Sequence, residues 1–145
     1  MPRTIRLVHD YDASPDAVWA LAKDFTKLAD MSEGSVAYRG LPDEPVKQGD
    51  VVRFEVKPSY ARSWKPFTVF MKVVDDERRR FVSNEEGAGV KSWEHTLTVD
   101  ETPTGARQTD EITIDAGWLT PFVAFMAKRM YSRRDAVRRR LLGIA

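Results

Sequence analysis

The chain has 145 residues, with 23 Lys and Arg against 22 Asp and Glu, for a formal net charge of +1. That length favours one domain over residues 1–145, large enough to bury about two-thirds of its unfolded surface without a covalent staple. Cysteine is absent, which excludes a disulfide framework, an iron–sulfur centre and a thiolate zinc site. Near-balanced charge argues against a surface given over to nucleic acid, and 42% hydrophobic with 31% charged residues is unlike disorder. The first residues lack the apolar core of a secretory signal. No run approaches the roughly 20 apolar residues of a membrane span, so the expected compartment is the cytoplasm.

Residues 3–12 alternate, Ile5 and Leu7 against Arg6 and Val8, and predict a strand. Ser14-Pro15-Asp16 starts a helix, because Ser14 can cap free N–H groups, Pro15 suits the first position and Asp16 complements the dipole. Val18, Ala22 and Phe25, with Trp19, form its apolar stripe, and Leu28 and Met31 predict a second short helix within 24–31. From Glu33 the period falls to two. Val36 and Tyr38 lead to Gly40-Leu41-Pro42, and Val52, Phe54 and Val56 then alternate with Arg53, Glu55 and Lys57. A loop bounded by Pro58 and Pro66 carries Tyr60 and Trp64. Strands over 67–74 and 81–85 follow, with a hairpin signal at Gly87-Ala88-Gly89. Trp93, His95, Leu97 and Val99 share one face of the next strand, and Pro103-Thr104-Gly105 turns the chain into 109–116, where Ile112 and Ile114 share a face. Last comes the longest element, started by Thr120-Pro121 and stopped near Gly143. Phe122, Met126, Met130, Val137 and Leu141 recur along it at three-to-four spacing, with Arg133 interrupting the stripe. Six of the seven strands run together between helices, which predicts an α+β fold.

Ala13-Ser14-Pro15-x-x-Val18-Trp19, at the opening of the first helix, resembles the START-like or SRPBCC superfamily, which includes Bet v 1-like and polyketide cyclase-like proteins. Arg80-Phe81-Val82, Trp93-x-His95-x-Leu97 and Gly105-x-x-x-x-Asp110 are similar to a bacterial group of ligand-binding SRPBCC proteins. The likeness spans essentially the whole chain. It implies a helix-grip fold, in which a curved antiparallel sheet of about seven strands wraps around the long C-terminal helix and leaves a cavity for an apolar ligand. It supplies no reaction, because the superfamily holds carriers, cyclases and chaperone activators alike.

On that fold, Phe54, Val56, Val69, Met71, Phe122, Phe125 and Met126 are expected to line the space between sheet and helix, although each alone reads equally as core. Tyr60 and Trp64 are expected at the entrance. Trp93 and His95 are the most suggestive pair, since an imidazole on an apolar strand face can orient a ligand or act as acid/base. A core histidine satisfied by its neighbours fits the same pattern. The expected ligand contacts are therefore Phe54, Tyr60, Trp64, Met71, Trp93, His95, Phe122 and Met126, with His95 as the candidate for catalysis. Glu55, Glu94, Glu111 and Asp115 read as a solvated outer face. No metal and no cofactor is expected: His9 and His95 lie 86 residues apart, and neither GxSxG nor GxGxxG occurs.

The neutral total conceals an asymmetry. Residues 119–145 carry Lys128, Arg129, Arg133, Arg134, Arg138, Arg139 and Arg140 against Asp135, a charge of +6, which leaves −5 on the rest. The expectation is a solvated basic face paired with an acidic body, with Arg133 as the misfit that reaches toward the cavity or snorkels past it. The leading reading is a protein that binds a small hydrophobic ligand, as a monomer or homodimer, with no nucleic-acid partner and no membrane span. Its rivals are a cofactor-independent cyclase or dehydratase that uses His95, and an interaction module of the chaperone-activator kind that uses the basic helix.

Overall fold

Period-two segments become strands wherever one face can be buried. In the computed structural model, which describes residues 2–145, they form β1 (Arg3–Tyr11), β2 (Val36–Arg39), β3 (Val51–Pro58), β4 (Lys65–Asp75), β5 (Arg80–Gly87), β6 (Val90–Thr102) and β7 (Gly105–Asp115). The strands bond in the order β1-β7-β6-β5-β4-β3-β2, every pair antiparallel. Register shifts between Met71 and Val73 and between Glu85 and Gly87 interrupt the ladder of β4 with β5 and of β5 with β6. Such irregularities bend a sheet and increase its twist, and this one curls into a half-barrel. Met1 alone, part of the leader reading, lies outside the described residues.

Helix α1 (Pro15–Lys23) starts as its cap residues dictate, with Ser14 Oγ accepting from the Ala17 N–H at 3.1 Å. Trp19 Nε1 and Lys23 Nζ both donate to Asp76 Oδ1, at 2.9 and 2.7 Å, and tie α1 to the turn between β4 and β5. The expected second helix is split. Asp24 leaves helical geometry and caps the Thr26 N–H, so a single 3₁₀ turn (Phe25–Lys27) precedes the four-residue α2 (Leu28–Met31). The long α3 (Thr120–Leu142) ends where Gly143 adopts φ 73° and the Gly143 and Ile144 N–H groups bond back to the carbonyls of Arg140 and Arg139. The result is the helix-grip fold, seven strands curled around one long helix. Among the described residues, no helix is long and apolar enough to cross a membrane.

The buried face of α3 differs from the expected stripe. It consists of Ala124, Ala127, Tyr131, Arg134 and Arg138, whereas Phe122 and Leu141 are exposed and Met126, Met130 and Val137 only half-buried. Close approach of helix to sheet selects small side chains rather than the most apolar ones, so Ala124 and Ala127 pack on Leu7, Ile112 and Ile114. A second cluster joins Trp19, Phe25, Phe54, Val69, Met71, Phe81 and Leu97 beneath α1.

Gly105 turns the chain between β6 and β7 with φ 155°, and a Cβ there would lie 2.2 Å from the Tyr11 carbonyl oxygen. Gly89 has φ 84° but open space around it. Gly105→Ala is expected to lose more than about 2 kcal/mol of stability and Gly89→Ala about 1 kcal/mol. Urea midpoints of the two variants check the order.

Candidate functional site

Where the sheet curves away from α3, neither apolar cluster fills the interior. A cavity of about 410 Å³ remains, bordered by Phe25, Phe54, Val56, Phe81, Leu97 and Met126 among others, and opening past Tyr60. Its apolar wall is interrupted by one polar group of side chains: Glu85 from β5, His95 from β6, Gln108 and Asp110 from β7, and Arg134 and Arg138 from α3.

His95 sits at the centre of that group. Its ring is held between Phe81 and Tyr131, each edge-on at 5.3 Å. Nε2 lies 2.7 Å from Asp110 Oδ1, and Nδ1 lies 3.9 Å from Glu85 Oε2. Gln108 Nε2 donates to the other Asp110 oxygen at 3.0 Å, and Arg138 stands 3.9 Å from it. Burial alone would raise the Asp110 carboxyl, which is 1% exposed. The hydrogen bond from His95 and the nearby cationic charge outweigh burial and hold its pKa at about 2. An ionised Asp110 accepts from Nε2–H, and in a neutral imidazole so held the lone pair is on Nδ1, on the other side of the ring. Glu85 goes the opposite way. Burial pushes its carboxyl up, and the nearby His95 and Arg134 together with a hydrogen bond donated by Ser83 Oγ at 2.9 Å only partly offset this. The two carboxyls address opposite ring nitrogens and so do not converge on one point, and no metal-holding cluster occurs among the described residues.

Of the residues expected to contact ligand, Phe54, Tyr60, Trp93, His95 and Met126 line the cavity. Three do not. Met71 is fully buried in the cluster under α1, outside the lining. Trp64 turns outward, its indole 4.4 Å under the Arg39 guanidinium and 5.5 Å from Lys57 Nζ, where cation–π contact holds it on the surface. Phe122 is half exposed and packs edge-on against Tyr60 at 5.8 Å, beside the mouth rather than within it. Arg133 is exposed at the cavity rim, and the buried cations are its neighbours Arg134 and Arg138. Glu55 and Glu111 face outward, paired with Arg39 and Arg6.

The polar group itself was hidden in the alternation. Ile112 and Ile114 share a face, and two further steps back along β7 reach Asp110 and Gln108. Phe81 likewise leads through Ser83 to Glu85, and Tyr131 leads at helical spacing to Arg134 and Arg138.

With that geometry in place, comparison with known proteins is informative. Residues 2–141 match the family described as polyketide cyclase / dehydrase and lipid transport, and the chain belongs to it. Among solved structures, protein CV1439 from Chromobacterium violaceum has a TM-score of 0.72 at 16% identity, covering 92% of this chain and 95% of that one. A protein from Rhodobacter sphaeroides has a TM-score of 0.71 at 14% identity, covering 93% and 88%. Ara h 8.0201, a Bet v 1-like protein, has a TM-score of 0.67 at 8% identity, covering 95% and 98%. At such identities the likeness is one of fold. No curated protein matches the chain in sequence.

The two buried carboxyls give opposite pH signatures. Asp110, held below its unfolded value of 3.8, contributes about 2 kcal/mol of stability that is present above pH 4 and lost as pH falls toward 2. Glu85, raised above 4.5, costs stability as pH rises through that value. Asp110→Asn should therefore flatten the acid limb of the stability profile. Glu85→Gln should match the wild type at pH 4 and exceed it at pH 8. Denaturant titrations across pH 2–8 measure both.

Proposed function

We propose that the chain binds a small apolar or aromatic, lipid- or polyketide-like molecule between the curled sheet and α3. The observation that carries this reading is the cavity of about 410 Å³. Its size falls in the range of small-molecule sites, about 300–1,000 Å³, and a few polar groups interrupt an apolar wall as such sites require. Membership of a family described by lipid transport and polyketide cyclisation supports the same class of ligand. Burial supplies the affinity, while Trp93 and His95 orient the guest. Tyr60, packed against Phe122 at the mouth, gates entry.

Titration of isotope-labelled protein with fatty acids, sterols, flavonoids and aromatic polyketides is expected to move the Trp93 indole and the Met126 and Met130 methyl resonances. Absence of shifts at these three residues with every class would overturn the reading.

A second reading, proton transfer on the bound molecule, is favoured by the His95–Asp110 contact of 2.7 Å. His95 Nδ1 would take a proton from a carbon flanked by carbonyls, and Asp110 would stabilise the resulting imidazolium. The Glu85 carboxyl, pushed up by burial and 3.9 Å from Nδ1, is the group placed to return a proton. Exchange of the acidic C–H of 1-phenylbutane-1,3-dione with deuterated solvent measures the step. His95→Ala is expected to slow the protein-dependent exchange about 10²–10⁴-fold; an unchanged rate removes His95 from the chemistry.

A further inference from the structure

The cavity wall carries a cation that touches no carboxylate among the described residues. Arg134 is 6% exposed, lines the cavity and has no carboxylate within 4 Å among the described residues. Of its five N–H donors, Nη2 alone has a hydrogen bond among the described residues, to Ser32 Oγ at 2.9 Å, and Nε is buried with no acceptor. Its guanidinium stacks 4.3 Å over the Tyr131 ring, which fixes its plane without using its donors. The other buried cation is satisfied: Arg138 faces Asp110 and donates to the Tyr11 hydroxyl at 3.2 Å. Asp110 is already engaged by His95, Gln108 and Arg138. Glu85, the remaining carboxyl of the polar group, is biased toward its neutral form by burial.

The sign of the imbalance is consistent across the wall. Among cavity-lining residues the buried polar atoms without a partner are Arg134 Nε and Trp93 Nε1, and both are donors. A buried cation with unused donors is costly, and a bound anion offsets that cost through charge-assisted, bidentate hydrogen bonds.

We propose that Arg134 seats a carboxylate, so that the ligand of this cavity is an amphipathic monocarboxylate whose apolar body lies along Phe54, Val56, Val69 and Leu97. This rests on the ligand-binding reading above and specifies its chemistry. The fork of Arg134 matches a carboxylate in plane and spacing, and the aromatic and aliphatic walls accept whatever tail the head carries. Exposed Arg129 and Arg133 at the rim are screened by water and ions and provide no comparable seat.

Decanoate and 1-decanol share a tail and differ at the head, so calorimetric titration of the full chain with each isolates the seat. The wild type is expected to bind decanoate about tenfold or more tighter than decanol. Arg134→Met should abolish that preference, and Arg134→Lys should retain part of it. Arg134→Met should also melt at or above the wild-type temperature, because an apolar side chain replaces an unpaired buried charge. The acid–alcohol comparison on the wild type needs no variant to fold. Equal binding of acid and alcohol overturns the seat and leaves the apolar cavity standing, whereas binding of neither overturns the monocarboxylate and leaves the cavity to be decided by the resonance titration with the other ligand classes. A preference that survives Arg134→Met, or that disappears in Arg129→Ala or Arg133→Ala instead, also overturns it.

Discussion

The grip of the sheet on its helix depends on one buried anion. Asp110 receives hydrogen bonds from His95 of β6 and Gln108 of its own strand, and faces Arg138 of α3. Arg138 in turn donates to Tyr11 of β1. One carboxylate thus links three adjacent strands to the C-terminal half of α3. Any of these groups alone in the interior would be prohibitively unfavourable. Together they satisfy one another, and each fixes the rotamer of the next. The low pKa of Asp110 and the orientation of the His95 ring are two expressions of the same contact.

That contact also explains why the interior is not filled. At its first turns α3 presents Ala124 and Ala127, which allow backbone to approach β1 and β7 closely. Farther along, the inward positions are Tyr131, Arg134 and Arg138, too long and too polar to pack as hydrocarbon against Phe54, Phe81 and Leu97. The cavity lies between these inward side chains and the sheet. Its two kinds of wall follow directly: aliphatic and aromatic from β3–β6, and polar where β5, β6, β7 and α3 converge on His95.

Most of the strand pattern was legible because alternation in a half-buried sheet is read without knowing what lies opposite. Trp93, His95, Leu97 and Val99 are all inward and buried, as their spacing indicates. The Ser14 cap and the Gly143 stop are likewise local chemistry. The phase of α3 was not legible in this way. Large apolar residues at three-to-four spacing marked Phe122 and Leu141 as inward, yet the neighbouring sheet selects Ala124 and Ala127, and that selection depends on interaxial distance rather than hydropathy. Trp64 was misplaced for a similar reason. Its position outside depends on Arg39 and Lys57, residues of β2 and β3 that only the folded loop brings beneath it. Asp110 and Glu85 sat at inward positions of correctly read strands. Asp110 stands out in sequence only as part of the Gly105-x-x-x-x-Asp110 resemblance and Glu85 not at all, because a carboxylate at such a position is ordinarily turned to solvent and the partners Arg138, Gln108 and Ser83 are visible only in three dimensions.

The charge asymmetry between body and helix takes on a different meaning in the fold. The body pairs several of its own carboxylates at the surface, among them Lys23–Asp76, Arg79–Asp16, Arg39–Glu55 and Arg107–Asp10. Among the described residues, Arg139 stays within its own turn on Asp135 and reaches the Asp10 carbonyl, and Arg138 is the one helix cation that meets a carboxylate of the body, in the interior. The excess positive charge is therefore not a surface matched to the sheet by opposite sign. Part of it is solvated on the outer helix face, where it has little energetic consequence. The part that matters is carried inward by helical phase, four residues apart, at Arg134 and Arg138. One of those two arginines secures the fold by meeting Asp110. The other has no carboxylate within 4 Å among the described residues, and it stands at the wall of the cavity between the sheet and α3.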